Sequence, residues 1–556
     1  MINPPSQTRA PGLNPDADAD RERDWRAAIA AAPDQFGFWL GLTRVLAERQ
    51  AWSRALRPCA IAVRLAPQAL QPILLQATLL ELAGKVGEAG EACQRALHLA
   101  PGHAGLHAQR GRLALQGGDA TTARRHLSLA LALDPDRAEF QSDLARASTG
   151  AAAVIAWTRA SRLDPSSVIA LTNRGIAQAD RPDRAAQCCR AALCLDPAAA
   201  PALNGLGNAL KQQGRYTDSL TCHRRALILR PDFATAQVNL GMTLALCGNL
   251  PTGLALMEAR WRVAGFVRPA PPPLPLWTGD ALAGRTLLLV AEQGLGDTMC
   301  FSRFIAPLAA PGTPGGGRVL LACQAPLVGL LSRLPGLAGV IPHGAPLPAC
   351  DCWLPLTTLP ALLGLGVAAI PRPTPLTVDP RRLGAWQARL GLPMAPDRRT
   401  VGLVWAGSPA HSSDRARSVT LSRLAPLFAI PGIRWLSLQK GAAAAALTRL
   451  DRPGADIHDL DPGLDDFEDT AAVLSCVDLL ISVDTAVAHL AGILGRPPVW
   501  LLLPFVPDWR WLLDRDDSPW YPTFRLFRQT RPDDWEGVAT RVAQALARDR
   551  RPEPQQ

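Results

Sequence analysis

Residues 202–231 read ALNGLGNALKQQGRYTDSLTCHRRALILRP. Small and apolar residues recur at helical spacing through Leu206, Gly207 and Ala209, a turn falls at Gly214, Tyr216 opens a second helical pattern, and Ala226 and Pro231 close it. The pattern predicts two amphipathic helices joined by a glycine turn and stopped by proline. A pair of helices this short cannot bury its apolar faces alone, so the unit has to recur. It does. Prolines end apolar helical patterns at 33, 67, 101, 135, 165, 197 and 231, with successive spacings of 34, 34, 34, 30, 32 and 34. The two shorter intervals predict trimmed turns around STGAAAV (148–154) and QADRPDR (178–184). Downstream, AQVNLGMTLALCGN (236–249) starts another unit that runs into GLALMEARWRV (253–263), a terminal repeat departing from the pattern.

A period of 34 with this arrangement of small, aromatic and proline positions resembles the tetratricopeptide repeat. The resemblance implies an α-solenoid over residues 24–265, whose inner groove takes an extended peptide or a partner protein. Repeats of this kind are binding surfaces by default, so chemistry is to be sought further along the chain.

With 556 residues, 48% of them hydrophobic and 19% charged, and a mean hydropathy of +0.06, the chain is globular and long enough for two or three domains. Disorder is expected only at its ends, over 1–23 and 549–556. Apolar runs such as TLLLVA and VWLLLPFV are far shorter than the roughly 20 residues of a membrane span, and MINPPSQTRAPGLNPDADAD carries no apolar signal region, so the chain reads as cytoplasmic. The net charge of +10 is spread over both halves without a dense basic run, which argues against nucleic acid as a partner. The twelve cysteines are scattered and read as small core residues, not metal ligands. Of the 58 basic residues only Lys85, Lys211 and Lys440 are lysines, so each of these marks a candidate site for a compact ammonium.

After the proline-rich segment RPAPPPLPLW (268–277), read as an extended linker or cap within a linker over 266–283, the periodicity changes. GRTLLLVAEQ, GRVLLACQ and AGVIPHG read as strands separated by helical stretches, giving one half over 284–375. A second linker over 376–398, starting in IPRPTPLTVDP, precedes RTVGLVWAG, IRWLSLQKG, DLLISVD and PVWLLLP, which alternate with helices in a second half over 399–548. Strand–helix alternation predicts parallel sheets with crossover helices, here two doubly wound Rossmann-like halves with a cleft at the carboxyl ends of their strands.

Two strand-to-helix junctions carry the residues that suit this cleft. In LISVDTAVAHL the strand ends at Asp484 and a helix begins near Thr485; the free amides of its first turn, the Thr485 hydroxyl and His489 four residues on suit a diphosphate. In VAEQGLGDTM, Gly294 and Gly296 let backbone approach a ligand, and Asp297 stands where strand gives way to helix. The third glycine and the distant acid of the dinucleotide fingerprint are missing. Bland readings stand beside these: Asp484, Thr485 and Asp297 as helix caps, His489 as a satisfied core histidine, Glu292 as a strand-end surface acid. Trp509, Trp511, Trp520 and Tyr521 either stack on a sugar or base or plug the crossing between the halves.

GLGD at 294–297, WAGSPAHSSDRARS at 405–418, SLQKG at 437–441 and SVDTAVAHLAG at 482–492 resemble the ordered motifs of heptosyltransferase-like bacterial glycosyltransferases of the GT-B type, and the chain is similar to bacterial proteins that fuse tetratricopeptide repeats to such a domain. The resemblance implies an α-solenoid followed by an α/β GT-B fold, and an inverting transfer from a nucleoside-diphosphate sugar. In that comparison Asp297 is the base facing the acceptor, and Arg417 touches phosphate in the loop that also holds Ser408. Asp484, Thr485, Ala486 and His489 hold the diphosphate, with Gly294, Gly296 and Lys440 completing the donor site. With helix amides and basic groups to take the leaving charge, the expected reaction needs no metal and no cofactor beyond the donor; the Asp459–Asp461 and Asp514–Asp516 pairs are not expected to bind one. The acceptor is expected to be a protein or a surface glycan, and the order of parts, that of O-linked N-acetylglucosamine transferases, points to protein O-glycosylation. A scaffold with a transferase-like domain that does not catalyse is the alternative.

Overall fold

The computed structural model describes residues 15–266, 272–309, 316–392, 398–411, 414–450 and 455–549. The chain divides into two compact units, Met1–Ala209 and Leu210–Gln556.

The described part of the first unit is helical, from Pro15–Ala31 to the helix Ala200–Gln212 in which the division falls. Helices end two residues before the periodic prolines, at Leu65, Leu99, Leu133, Leu163 and Leu195. Proline lacks the N–H that a further turn requires and disfavours helix in the residue before it. Alanine and leucine close each helix pair: Ala108, Ala123, Leu127 and Ala130 form one such buried set. The 30 and 32 spacings arise mainly from shortened first helices, Ala138–Arg146 and Val168–Ala177, of 9 and 10 residues against 13 in Ala104–Gln116. Helix begins at Pro15, so the tail expected over 1–23 is helical from that residue onward. The expected tail over 549–556 lies outside the described residues beyond Asp549.

The second unit begins inside the repeats, not at the predicted linker. Gly214 makes its turn at φ +75°, and the helix Tyr216–Leu229 follows. Leu246, Leu250 and Leu254 from the last helix pair share one apolar core with Leu287 and Leu289 of the first sheet and with Phe301 and Phe304. Each fully buried leucine contributes about 1.5–3 kcal/mol, so the last repeats have more to gain here than as an exposed end of an array.

The first sheet holds β1 (Thr286–Val290), β2 (Arg318–Cys323), β3 (Leu337–Pro342) and β4 (Cys352–Pro355), all parallel, in the order β3-β2-β1-β4. Residues 267–271 of the proline-rich segment lie outside the described residues; beyond them Trp353 of β4 exchanges hydrogen bonds with Pro275 and Trp277, so the segment's end serves as an edge to the sheet. The second sheet holds β5 (Arg399–Val404), β6 (Ile433–Ser437), β7 (Asp456–Asp459), β8 (Leu479–Val483), β9 (Val499–Leu503) and β10 (Phe524–Arg528), again parallel, in the order β10-β9-β8-β5-β6-β7. Read from β7, that is the 3-2-1-4-5-6 order of doubly wound sheets, whose strand order reverses between β5 and β8. Seven cysteines are buried, Cys194 and Cys247 are exposed, and all twelve are free thiols. Among the described residues no helix is long and apolar enough to cross a membrane.

Candidate functional site

Ligands of doubly wound sheets bind outside the carboxyl ends of the strands where the order reverses. In the second sheet that place lies between the ends of β5 and β8, and a cavity of about 540 Å³ opens there. Its walls include Ser408 and Arg417 from the loop after β5, Thr485 and His489 from the junction after β8, and Gly294 and Asp297 from the junction after β1. Gly296, Asp484, Ala486 and His411 line it too. The structure thus brings together every predicted donor-site residue except Lys440.

Lys440 is held elsewhere. Its ammonium donates to the carbonyls of Asp461 and Leu464 at 2.9 and 2.7 Å and pairs with the Asp461 carboxylate at 2.8 Å. The residue of SLQKG that serves the cavity is Gln439. Its Oε1 accepts from the N–H groups of Trp405 and Ala406 at 3.0 and 2.8 Å, and its Nε2 donates to the Ala406 carbonyl at 3.1 Å, fixing the loop that carries Ser408. Arg417 approaches the same loop so closely that a Cβ on Gly407 would lie 2.7 Å from Nη2. Among the described residues its Nε has no hydrogen-bond partner, with Asp414 3.6 Å away.

The junction after β8 is tightly built. Thr485 caps the helix Ala486–Leu494, its Oγ1 accepting from the Ala488 N–H at 3.4 Å and meeting the Ser482 hydroxyl at 3.1 Å. Asp484 accepts from Trp511 Nε1 at 2.9 Å and stands 3.6 Å from His489 Nε2, while His489 Nδ1 meets the Tyr521 hydroxyl at 2.8 Å. Burial works against the Asp484 charge, yet His489, the Trp511 N–H and Arg417 hold its carboxyl below the ordinary range. Burial opposes protonation of His489 too, and its contacts with Asp484 and Cys300 raise it to about 9. His489 is 7% exposed and stacks on Trp511 at 5.6 Å. It is therefore both a satisfied histidine and part of the cavity wall.

The junction after β1 is held differently. Asp297 accepts from the Gly294 N–H at 3.0 Å and pairs through its other oxygen with Arg510. Arg510 also binds Asp508 at 2.8 Å and lies over the rings of Trp509 and Phe301. Burial opposes its charge, and Asp508 and Asp297 more than offset that, so it stays a cation. Gly296 faces protein as well as the cavity: a Cβ there would stand 2.8 Å from His489 Cδ2 and 3.6 Å from Ala486 Cα. The absence of a side chain lets the two junctions meet, a packing demand added to the expected approach to ligand.

Two sequence expectations change. Glu292 is not a surface acid: its side chain is fully buried, with Arg260 at 3.2 Å and the Thr357 hydroxyl bonded to it. Burial raises its carboxyl, opposed by Thr357 and Arg260. Trp511, Trp520 and Tyr521 are 0–1% exposed and pack with Phe524 and Phe301 as a plug; Trp509 alone of the four also reaches the cavity. Nothing within PDWRWLL marks Arg510, whose partner Asp297 lies 213 residues away in sequence. Among the described residues no group of three His, Cys, Asp or Glu is placed to hold a metal.

Residues 204–259 match the family model of the tetratricopeptide repeat. The repeats give the chain a peptide- or protein-binding architecture. Protein FlbA of Caulobacter vibrioides is 28% identical over 496 residues, covering 77% of this chain and 82% of FlbA. An alignment of that extent reaches beyond the helical repeats into the α/β half. Among solved structures, the APC/C hetero-tetramer Cut9-Hcn1 has 17% identity and a TM-score of 0.34, over 41% of this chain and 46% of that one. TTC0263, a tetratricopeptide repeat protein of Thermus thermophilus, has 20% identity and a TM-score of 0.27, over 32% of this chain and 99% of its own.

Proposed function

We propose that the α/β half is a glycosyltransferase domain of the GT-B type, taking a nucleoside-diphosphate sugar in the cavity and passing the sugar to an acceptor brought by the repeats. The observation that carries this reading is the convergence of the β5, β8 and β1 junctions on one cavity at the reversal of strand order. The diphosphate would meet the first-turn amides of Ala486–Leu494, the Thr485 hydroxyl and the guanidinium of Arg417, all suited to charge that grows as the glycosidic bond breaks. The acceptor oxygen attacks the anomeric carbon, the bond to the diphosphate breaks, and the acceptor proton passes to Asp297, inverting that carbon.

Arg510 occupies the Asp297 oxygen that does not bond Gly294, so proton transfer to Asp297 requires the pair to loosen when substrate enters. That contact favours a second reading, a nucleotide-binding scaffold without transfer. A binding and turnover panel of nucleoside-diphosphate sugars on the full chain separates the two. On the transferase reading, Asp297→Ala keeps donor affinity and loses roughly 10²- to 10⁴-fold in turnover, while Thr485→Ala weakens donor binding. Donor binding in all three proteins with no turnover in any supports the scaffold.

A further inference from the structure

The cavity has one wall that belongs to the repeats. Lys211 and Gln212 end the helix Ala200–Gln212, and Met242 and Leu246 lie on the next repeat; all four line the space that Thr485, Arg417 and Asp297 line from the α/β half. Lys211 is half-buried. Among the described residues its ammonium has no hydrogen-bond or ion-pair partner, a costly arrangement for a half-buried cation. The acid acting on it, Asp508, is already bonded to Arg510 through both its guanidinium and its backbone N–H. The Lys211 charge also acts on His223, which is fully buried and, among the described residues, without a partner on either ring nitrogen. Burial and then Lys211 push that imidazole down to about 3, so it is neutral and adds no counter-charge. Desolvation likewise lowers Lys211, with Asp508 opposing. A cation so placed gains most from an anion entering the cavity.

We propose that Lys211 is a ligand-binding residue of the cavity, contributed by the repeat array and engaging an anionic group of the occupant. On the glycosyltransferase reading, on which the identity of the ligand rests, that group is a phosphate of the nucleoside diphosphate; the anion site itself rests on the cavity alone. The array then does more than carry an acceptor, because the donor cannot be fully bound without its last helices.

Calorimetric titration of the full chain with UDP, GDP, ADP and inorganic pyrophosphate tests this, comparing wild type with Lys211→Met and Lys211→Arg. Removing a charge-assisted contact should weaken the tightest of these ligands roughly tenfold to a hundredfold in Lys211→Met, with less loss in Lys211→Arg. At alkaline pH, wild-type binding should take up protons as the anion restores the ammonium, seen as heat that varies with the buffer's ionisation enthalpy, and Lys211→Met should take up fewer. An unchanged or raised thermal midpoint in Lys211→Met shows that the fold is intact. Equal affinities in wild type and Lys211→Met, or equal losses in both variants, overturn the proposal and leave the transferase reading standing. Lys211-dependent binding of pyrophosphate without binding of any nucleoside diphosphate overturns the transferase reading and keeps the anion site. No binding of any probe by wild type overturns both.

Discussion

The junctions after β1 and after β8 are built from the same materials, an apolar parallel strand, an acid and the start of a helix, and they meet at Gly296. They hold their acids in opposite ways. Asp484 sits in a chain of ring donors, with Trp511 and His489 against it and Tyr521 beyond His489. Asp297 is turned to a single guanidinium and its own helix start, and its side chain is 29% exposed. An acid locked among buried rings can orient but scarcely move. One tethered by an ion pair at the cavity rim can exchange that partner for a substrate hydroxyl. Identical local sequence logic therefore gives a fixed element on one side and a reactive candidate on the other.

The comparison breaks most visibly at Trp511. Trp511→Ala removes the donor to Asp484 and the ring beneath His489, and should cost roughly 3–5 kcal/mol of stability in denaturant titration; a loss under about 1 kcal/mol would mean that the β8 junction is not rigid. The charge pair behind that rigidity is read by pH. With His489 at about 9 against an ordinary 6.5, its contribution is complete below pH 6.5 and is lost as pH rises through about 9. Wild-type stability should therefore decline over that window by up to roughly 3 kcal/mol, at about 1.4 kcal/mol per pH unit, and His489→Gln should flatten the decline. Gly296→Ala tests the meeting point: its new Cβ forces His489 to shift, at about 1–3 kcal/mol for overpacking, with donor binding weakened as the cavity wall moves. Smallest is Lys440→Met, which removes a half-exposed clamp outside the cavity; about 0–1 kcal/mol of stability and no change in donor affinity are expected, and a clear loss of affinity would return Lys440 to the donor site.

Much of the architecture was legible because its signals are local. Prolines mark the repeat ends, and β1, β2, β8 and β9 read as strands because burial on both faces demands unbroken apolar runs. β4, β7 and β10 carry no such signal. β4 is only four residues long and lies beside the 275–277 segment, while β7 and β10 are sheet edges whose DIHD and FRLFR carry the charges that edges tolerate. The same limit governed the site. Motif spacing marks Asp484, Thr485, His489 and Asp297, which sit where strands give way to helices, but not Arg510, whose role depends on pairing with Asp297, 213 residues earlier. Scarcity of lysine flagged Lys211 and Lys440 alike, and only tertiary placement separates the one at the cavity from the one tied to the carbonyls of Asp461 and Leu464.

The shared core of Leu246, Leu250 and Leu254 with the first sheet sets a rule for anyone recombining this protein. A graft has to leave the helices that carry those leucines with the sheet, and whatever replaces the units before Pro197 must still pack on Ala199 and Ala202, which share a buried cluster with Ala192. A chimaera cut nearer to the sheet would strip the α/β half of its own floor.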